Sequence, residues 1–130
     1  METSNKVQIL LDKAIMQQKS PFFIKGIDGK YIYINHQAAA LADLTPEDFI
    51  GFDDSQIFGA EIGAIYRKKD QDIIAGKDIN PIDIFTDKKG VTRAYFILRQ
   101  PVYDEGKVIG VSGIRADITN FIDKIATIKI

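Results

Sequence analysis

From Ile79 onward the sequence alternates at a period of two through three runs, INPIDIFTD, VTRAYFILRQPVY and KVIGVSGIRADIT. Turn signals at Lys89-Gly90 and Asp104-Glu105-Gly106 separate them. Successive side chains on a strand point to opposite faces, so alternating runs joined by short turns make an antiparallel meander. The C-terminal third of the chain is therefore read as three consecutive strands.

A second pair of strands lies upstream. In FFIKGIDGKYIYIN, β-branched and aromatic residues flank Asp28-Gly29, a pair that supplies the positive backbone angles of a tight hairpin turn. Asn35 follows the second strand and is placed to cap a short helix over Gln37 to Ala42. In LTPEDFIG, Thr45 as N-cap, Pro46 at the first helical position and Asp48 in the first turn predict a brief helix closed by Gly51. FDDSQIF reads as a loop. Ile62, Ile65, Tyr66, Ile73 and Ile74 then recur at helical spacing over Ala60 to Ala75, with Gly76 as the stop. At the N-terminus, Val7, Leu10, Leu11, Ala14 and Ile15 predict an amphipathic helix over Ser4 to Gln18, ended by Ser20-Pro21.

Composition narrows the function classes. With 130 residues, 45% hydrophobic and 27% charged, the chain suffices for one domain with one core. Lys and Arg total 17 against 18 Asp and Glu, so the net charge of -1 offers no pull toward nucleic acid or acidic membrane. The absence of cysteine excludes disulfides, thiolate metal sites and thiol nucleophiles. No apolar run has the length of a membrane span and no signal-type block opens the chain, which reads as cytoplasmic.

In this order and at these spacings, the chain resembles the PAS sensory-domain family from Pro21 to Thr119. Four places carry the resemblance: FFIKGIDGKYIYIN, LTPEDFIG, QPVYDEGKVIGVSGI and the terminal Asp117-Ile118-Thr119. It implies an α+β PAS fold, a five-stranded antiparallel sheet in the order 2-1-5-4-3 with helices over one face and flanking N- and C-terminal helices. The expected division is an N-terminal flanking helix over 1–19, the PAS domain over 20–119 and the start of a C-terminal signalling helix over 120–130. It also implies function by relay: a small molecule, light, redox state or partner is sensed, and the change passes through flanking helices.

The resemblance can be tested for cofactors. The flavin-mononucleotide branch needs a cysteine that is missing here, and the haem branch needs a histidine on the long internal helix, whereas His36 is the only histidine. A flavin adenine dinucleotide sensor usually carries a nearby tryptophan, and the chain has none. No cofactor is expected; a small polar metabolite or a filled core remains. Aligned with the family through Gln100-Pro101 and Asp117-Ile118-Thr119, the pocket-facing set is Ile82, Ile84, Tyr95, Ile97, Arg99, Val111, Gly113 and Arg115. Ala94, Phe96, Leu98, Ser112 and Ile114 then face the other way, and a slip of one residue would exchange the sets.

Arg99 and Arg115 thus project from neighbouring strands toward an apolar pocket. A buried guanidinium is costly unless paired, so the two either hold a carboxylate or phosphate, or one or both snorkel to the rim or pair with acidic residues such as Asp43, Asp54 or Glu61. Tyr31, Tyr33 and Tyr95 are read as packing. Asp117, Ile118 and Thr119 form the output joint in the family, where a carboxylate at the strand end can cap the following helix. Ile118, Phe121, Ile122, Ile125 and Ile128 continue at a spacing that suits a helix paired with its symmetry mate.

The leading reading is a sensory input domain of a bacterial signalling protein, a two-component histidine kinase or a diguanylate cyclase, opening a longer chain. The alternatives are the N-terminal PAS domain of a helix-turn-helix transcription regulator, and a ligand-free dimerisation or docking module. Homodimerisation through terminal helices is expected, with an output domain in the parent chain and no direct nucleic-acid or membrane contact from this segment. Asp43 or Asp83 could be nominated for acid-base work, but no spacing here is diagnostic of catalysis, and no metal cluster is foreseen.

Overall fold

The computed structural model describes residues 2–86 and 89–121. The elements run α1 (Glu2–Met16), β1 (Phe22–Gly26), β2 (Tyr31–Ile34), α2 (His36–Ala40), a 3₁₀ turn (Pro46–Asp48), α3 (Asp54–Phe58), α4 (Ala60–Ile74), β3 (Ile82–Thr86), β4 (Thr92–Asp104) and β5 (Lys107–Asp117). The strands form one antiparallel sheet in the order β2-β1-β5-β4-β3, as the sequence predicts, with β5 in the middle. A helical turn opens at Thr119. The rest of the C-terminal helix expected over 120–130, with Ile122, Ile125 and Ile128, lies outside the described residues.

Both sharp turns follow from local chemistry. At the β4–β5 turn, Asp104 pairs with Lys107, leaving a two-residue loop in which Glu105 and Gly106 both take positive φ. That backbone twist matches the flanking strands. The β1–β2 turn differs from expectation. Gly26 N–H donates to the Lys30 carbonyl and Gly29 N–H to the Gly26 carbonyl, each over 2.9 Å, so the loop holds three residues and Gly29 supplies its positive φ while Asp28 does not. Asp28 instead accepts the Lys30 amide at 3.0 Å, which fastens the turn from within.

FDDSQIF is not a loop. Asp53 accepts the Gln56 amide at 2.9 Å while the Gln56 side chain accepts the Asp53 amide at 3.0 Å, a reciprocal cap that starts α3. α3 then packs tightly on α4: a Cβ added at Gly63 would run into the backbone of Ser55. Thr45 stands at the N-cap as expected, but its bonds run to Asp48, whose carboxylate accepts the Thr45 amide at 2.8 Å and its hydroxyl at 3.0 Å.

The core lies between the sheet and α2–α4. Tyr31, Ile34, Ala39 and Phe49 form its buried cluster, with Phe23 and Phe58 packed against it. Edge-to-face rings continue from Phe23 to Tyr31, Phe49, Phe58 and Tyr66, with centroids 5.0–6.0 Å apart. They link β1 to α4 through one aromatic chain. In the central strand, a Cβ at Gly110 would meet the Lys25 carbonyl, and one at Gly113 would fall within the Phe23 ring. Glycine at both positions lets β1 and its ring close onto β5.

The other face of the sheet meets the C-terminal end of α1. Leu11, Ala14 and Ile15 border a groove with Phe22, Leu98 and Ile114. The Tyr33 hydroxyl donates to the Ile15 carbonyl at 3.3 Å. Most of the helix's apolar stripe is nonetheless open, with Leu10 70% exposed. Among the described residues, no helix is long and apolar enough to cross a membrane.

Candidate small-molecule cavity and output joint

Between the helices and the sheet lies a cavity of about 820 Å³. Volumes of roughly 300–1,000 Å³ are typical of small-molecule sites. Its wall is largely apolar and aromatic, and four cationic side chains border it: Lys25, Lys69, Arg99 and Arg115. Strand register explains which side chains arrive there. Ile97 pairs with Arg115, Arg99 with Gly113 and Pro101 with Val111, so these residues share the helix-covered face with Phe23 and Lys25, which pair with Gly113 and Val111.

The expected pocket set is therefore brought onto one face in β4 and β5, but not all of it borders the cavity. Tyr95, Arg99 and Arg115 do. Ile97 and Val111 are buried in the sheet's own packing. The space over Gly113 is taken by the Phe23 ring. In β3, Ile82 and Ile84 border the cavity at the sheet edge, yet they pair with Phe96 and Ala94 of the outer face, and Ile84 is 63% exposed. Asp83, paired with Tyr95, lies on the helix-covered face.

The cations differ in their partners. Lys69 reaches Asp83 at 3.3 Å, which accounts for the carboxylate considered for acid-base work. Asp43, the other candidate, is exposed in a turn at positive φ. Lys25 is 3% exposed and its Nζ donates to Asp54 at 2.6 Å and Asp70 at 2.8 Å, while lying 5.1 and 5.0 Å from the centroids of the Phe23 and Tyr31 rings. Tyr31 donates its hydroxyl to the second Asp54 oxygen at 2.7 Å. Burial, and then the Asp54 charge, pushes the Tyr31 phenol well above its ordinary range, so it remains a donor. Asp70 Oδ1 is buried without a partner.

This cluster ties β1 and β2 to α3 and α4, and the sequence reading missed it. The signal was present, since Lys25 stands two residues after Phe23 on an otherwise apolar strand and so shares its inward face. Asp54, considered as an arginine partner, belongs to Lys25 instead.

Arg99 and Arg115 are different. Arg99 is 9% exposed and its Nη1 is buried with no hydrogen-bond partner. Arg115 lies over the Tyr95 ring, 5.1 Å from its centroid. Neither has an acidic partner among the described residues.

At the far end of β5, Asp117 accepts the Thr119 amide at 2.9 Å and its hydroxyl at 2.5 Å. Thr119 Oγ1 in turn accepts the Ala94 amide at 3.0 Å, and the Ile118 amide donates to the Ala94 carbonyl at 2.9 Å. Both backbone groups of Ala94 are thus engaged by the segment leaving the sheet. The Thr119 hydroxyl, followed by its amide, holds the Asp117 carboxyl below its usual 3.8. A depressed carboxyl stabilises the folded joint above its unfolded pKa, and that contribution is lost as pH falls through the folded value, below 3.8. In an NMR titration, the Thr119 amide resonance is expected to stay constant at neutral pH and move only in that acid window. A midpoint above 3.8 would contradict the joint as described.

Asn35 uses its full bonding capacity. Its side-chain oxygen accepts the Ala38 amide at 2.9 Å and the Phe22 amide at 3.1 Å, while Nδ2 donates to the Gln18 and Ser20 carbonyls at 3.1 and 2.7 Å. The expected helix cap is formed, and the same residue fastens the segment between α1 and β1. His36 is exposed at the first position of α2.

The sequence model of a family described as PAS fold matches residues 16–123. The chain is 28% identical over 100 residues to the methanogenesis regulatory histidine kinase FilI of Methanothrix harundinacea (strain 6Ac), covering 75% of this chain and 11% of that protein. It therefore spans about a tenth of the kinase's length. Among solved structures, the Vibrio cholerae VqmA–ligand–DNA complex superposes with a TM-score of 0.68 at 20% identity, covering 94% of this chain and 62% of that one. The PAS domain of Bordetella pertussis BvgS superposes with a TM-score of 0.62 at 14% identity, covering 97% and 96%.

Proposed function

This chain belongs to the PAS-fold family, and on that premise we propose that it is the sensory input domain of a signal-transduction protein, binding a small molecule between its helices and sheet. The observation that carries this reading is the cavity of about 820 Å³ bordered by Arg99, whose buried Nη1 has no hydrogen-bond partner. Tyr95 and Arg115 complete the polar side of the proposed site and Ile82 and Ile84 its edge, while Ile97, Val111 and Gly113 lie on the same face of the sheet without bordering the cavity. Occupancy would pass along β4 and β5 to Asp117, Ile118 and Thr119, because Ala94 is bonded to the departing segment and precedes Tyr95 in the strand.

A histidine kinase output is favoured by the likeness to FilI, with catalysis in a separate output domain. The likeness in fold to VqmA, whose complex contains ligand and DNA, supports the transcription-regulator reading as the alternative. We further propose a cytoplasmic homodimer formed through α1, whose apolar residues Val7, Leu10 and Leu11 are open.

The test is native mass spectrometry of freshly purified protein together with its absorbance spectrum, followed by hydrogen exchange over residues 117–121 with and without the recovered compound. A small-molecule adduct, and exchange at 117–121 that changes with loading, are the expected results. A bare dimer mass would instead support a ligand-free docking module, an adduct that leaves exchange at 117–121 unchanged would overturn the relay, and visible absorbance would identify a flavin or haem.

A further inference from the structure

Resting on the cavity as the sensory site, we propose that its ligand is an organic carboxylate on an apolar or aromatic body, with the carboxylate held by Arg99 and Arg115. The charge distribution decides the ligand's charge. Lys69 is paired with Asp83, and Lys25 is shared by Asp54 and Asp70 and sits between two aromatic rings, so neither lysine needs a ligand. Arg99 and Arg115 have no acidic partner among the described residues, and Arg99 Nη1 is buried without any partner. A desolvated guanidinium left in this state is costly, and its planar fork matches a carboxylate through two parallel bonds.

The rest of the wall selects the body. Phe23, Phe49, Phe58, Ile62 and Ile65 line the space beyond the arginines. A bare hydrated anion would leave that surface uncovered, whereas an aryl or alkyl group would cover it and gain its burial. Register places Arg99 across Gly113 from Phe23, which puts the buried guanidinium beside the aromatic end of the wall.

The test is calorimetric titration of the whole chain with phenylacetate and phenylacetamide, hexanoate and hexanamide, and inorganic phosphate, after dialysis to remove bound compounds. The acids are expected to bind at least tenfold more tightly than the matching amides, as charge-assisted hydrogen bonds require. Arg99→Met is expected to abolish that preference and to raise the melting temperature of the ligand-free protein, because it replaces a buried guanidinium that lacks an acidic partner by an apolar chain. Arg115→Gln, at a half-buried position, is expected to weaken acid binding without altering the fold, and it serves if Arg99→Met does not fold. Equal binding of acid and amide would overturn the carboxylate assignment and leave the cavity reading standing. Phosphate binding as tight as the acids would overturn the apolar body, and no binding of any probe would overturn the carboxylate assignment, while the cavity reading is overturned only by the absence of any adduct in native mass spectrometry.

Discussion

Lys25→Met is expected to remove about 3–5 kcal/mol of folding stability, the cost of stranding a buried charge by deleting its partner. Here two carboxylates would be stranded, since Asp54 and Asp70 both bond the Lys25 ammonium and Asp70 already has one oxygen unpartnered. A domain of this size has about 5–15 kcal/mol in total, so the variant should sit close to unfolding at moderate temperature. Urea denaturation followed by circular dichroism measures the effect. The triple variant Lys25→Met, Asp54→Asn, Asp70→Asn removes the charges together and is expected to recover most of the loss. A single variant within about 1 kcal/mol of the parent would mean that the cluster does not hold the helices to the sheet.

Phe49→Ala is the second large effect, expected at about 3–5 kcal/mol because a buried ring is replaced by a void. Phe49 is buried at the middle of the aromatic chain, with its ring 5.0 Å from Tyr31 and 6.0 Å from Phe58. Its near neighbour Phe52 is exposed, and Phe52→Ala should change stability by no more than about 0.5 kcal/mol. Thermal unfolding of the two variants side by side checks the contrast. Similar losses from both would show that the aromatic chain is not the core's main support.

The two variants also mark what could be read in advance. Element order and the facing of β4 and β5 were legible because alternation runs through strands of 13 and 11 residues, long enough to fix which side chains share a face. β3 has only five residues at the sheet edge, where Ile82 and Ile84 border the cavity although their strand partners are Phe96 and Ala94 of the outer face. α3 was missed because five residues are too few for a hydrophobic period, and its evidence was the Asp53–Gln56 reciprocal cap alone. Arg99 and Arg115 were legible as an inward pair. That they have no acidic partner among the described residues was not, because Asp54 is drawn to Lys25 instead, a contact between residues 29 apart in the chain.

The saturated bonding of Asn35 has a consequence for building chimeric sensors. Its four side-chain bonds join the Gln18 and Ser20 carbonyls to the starts of β1 and α2, so the direction in which the N-terminal helix leaves the sheet is set at residues 18–22. A graft that swaps the upstream helix should be spliced before Gln18, where the incoming segment inherits that exit angle. A splice placed between Gln18 and Phe22 keeps that bearing only if the new backbone still presents carbonyls to the Asn35 amide at positions 18 and 20.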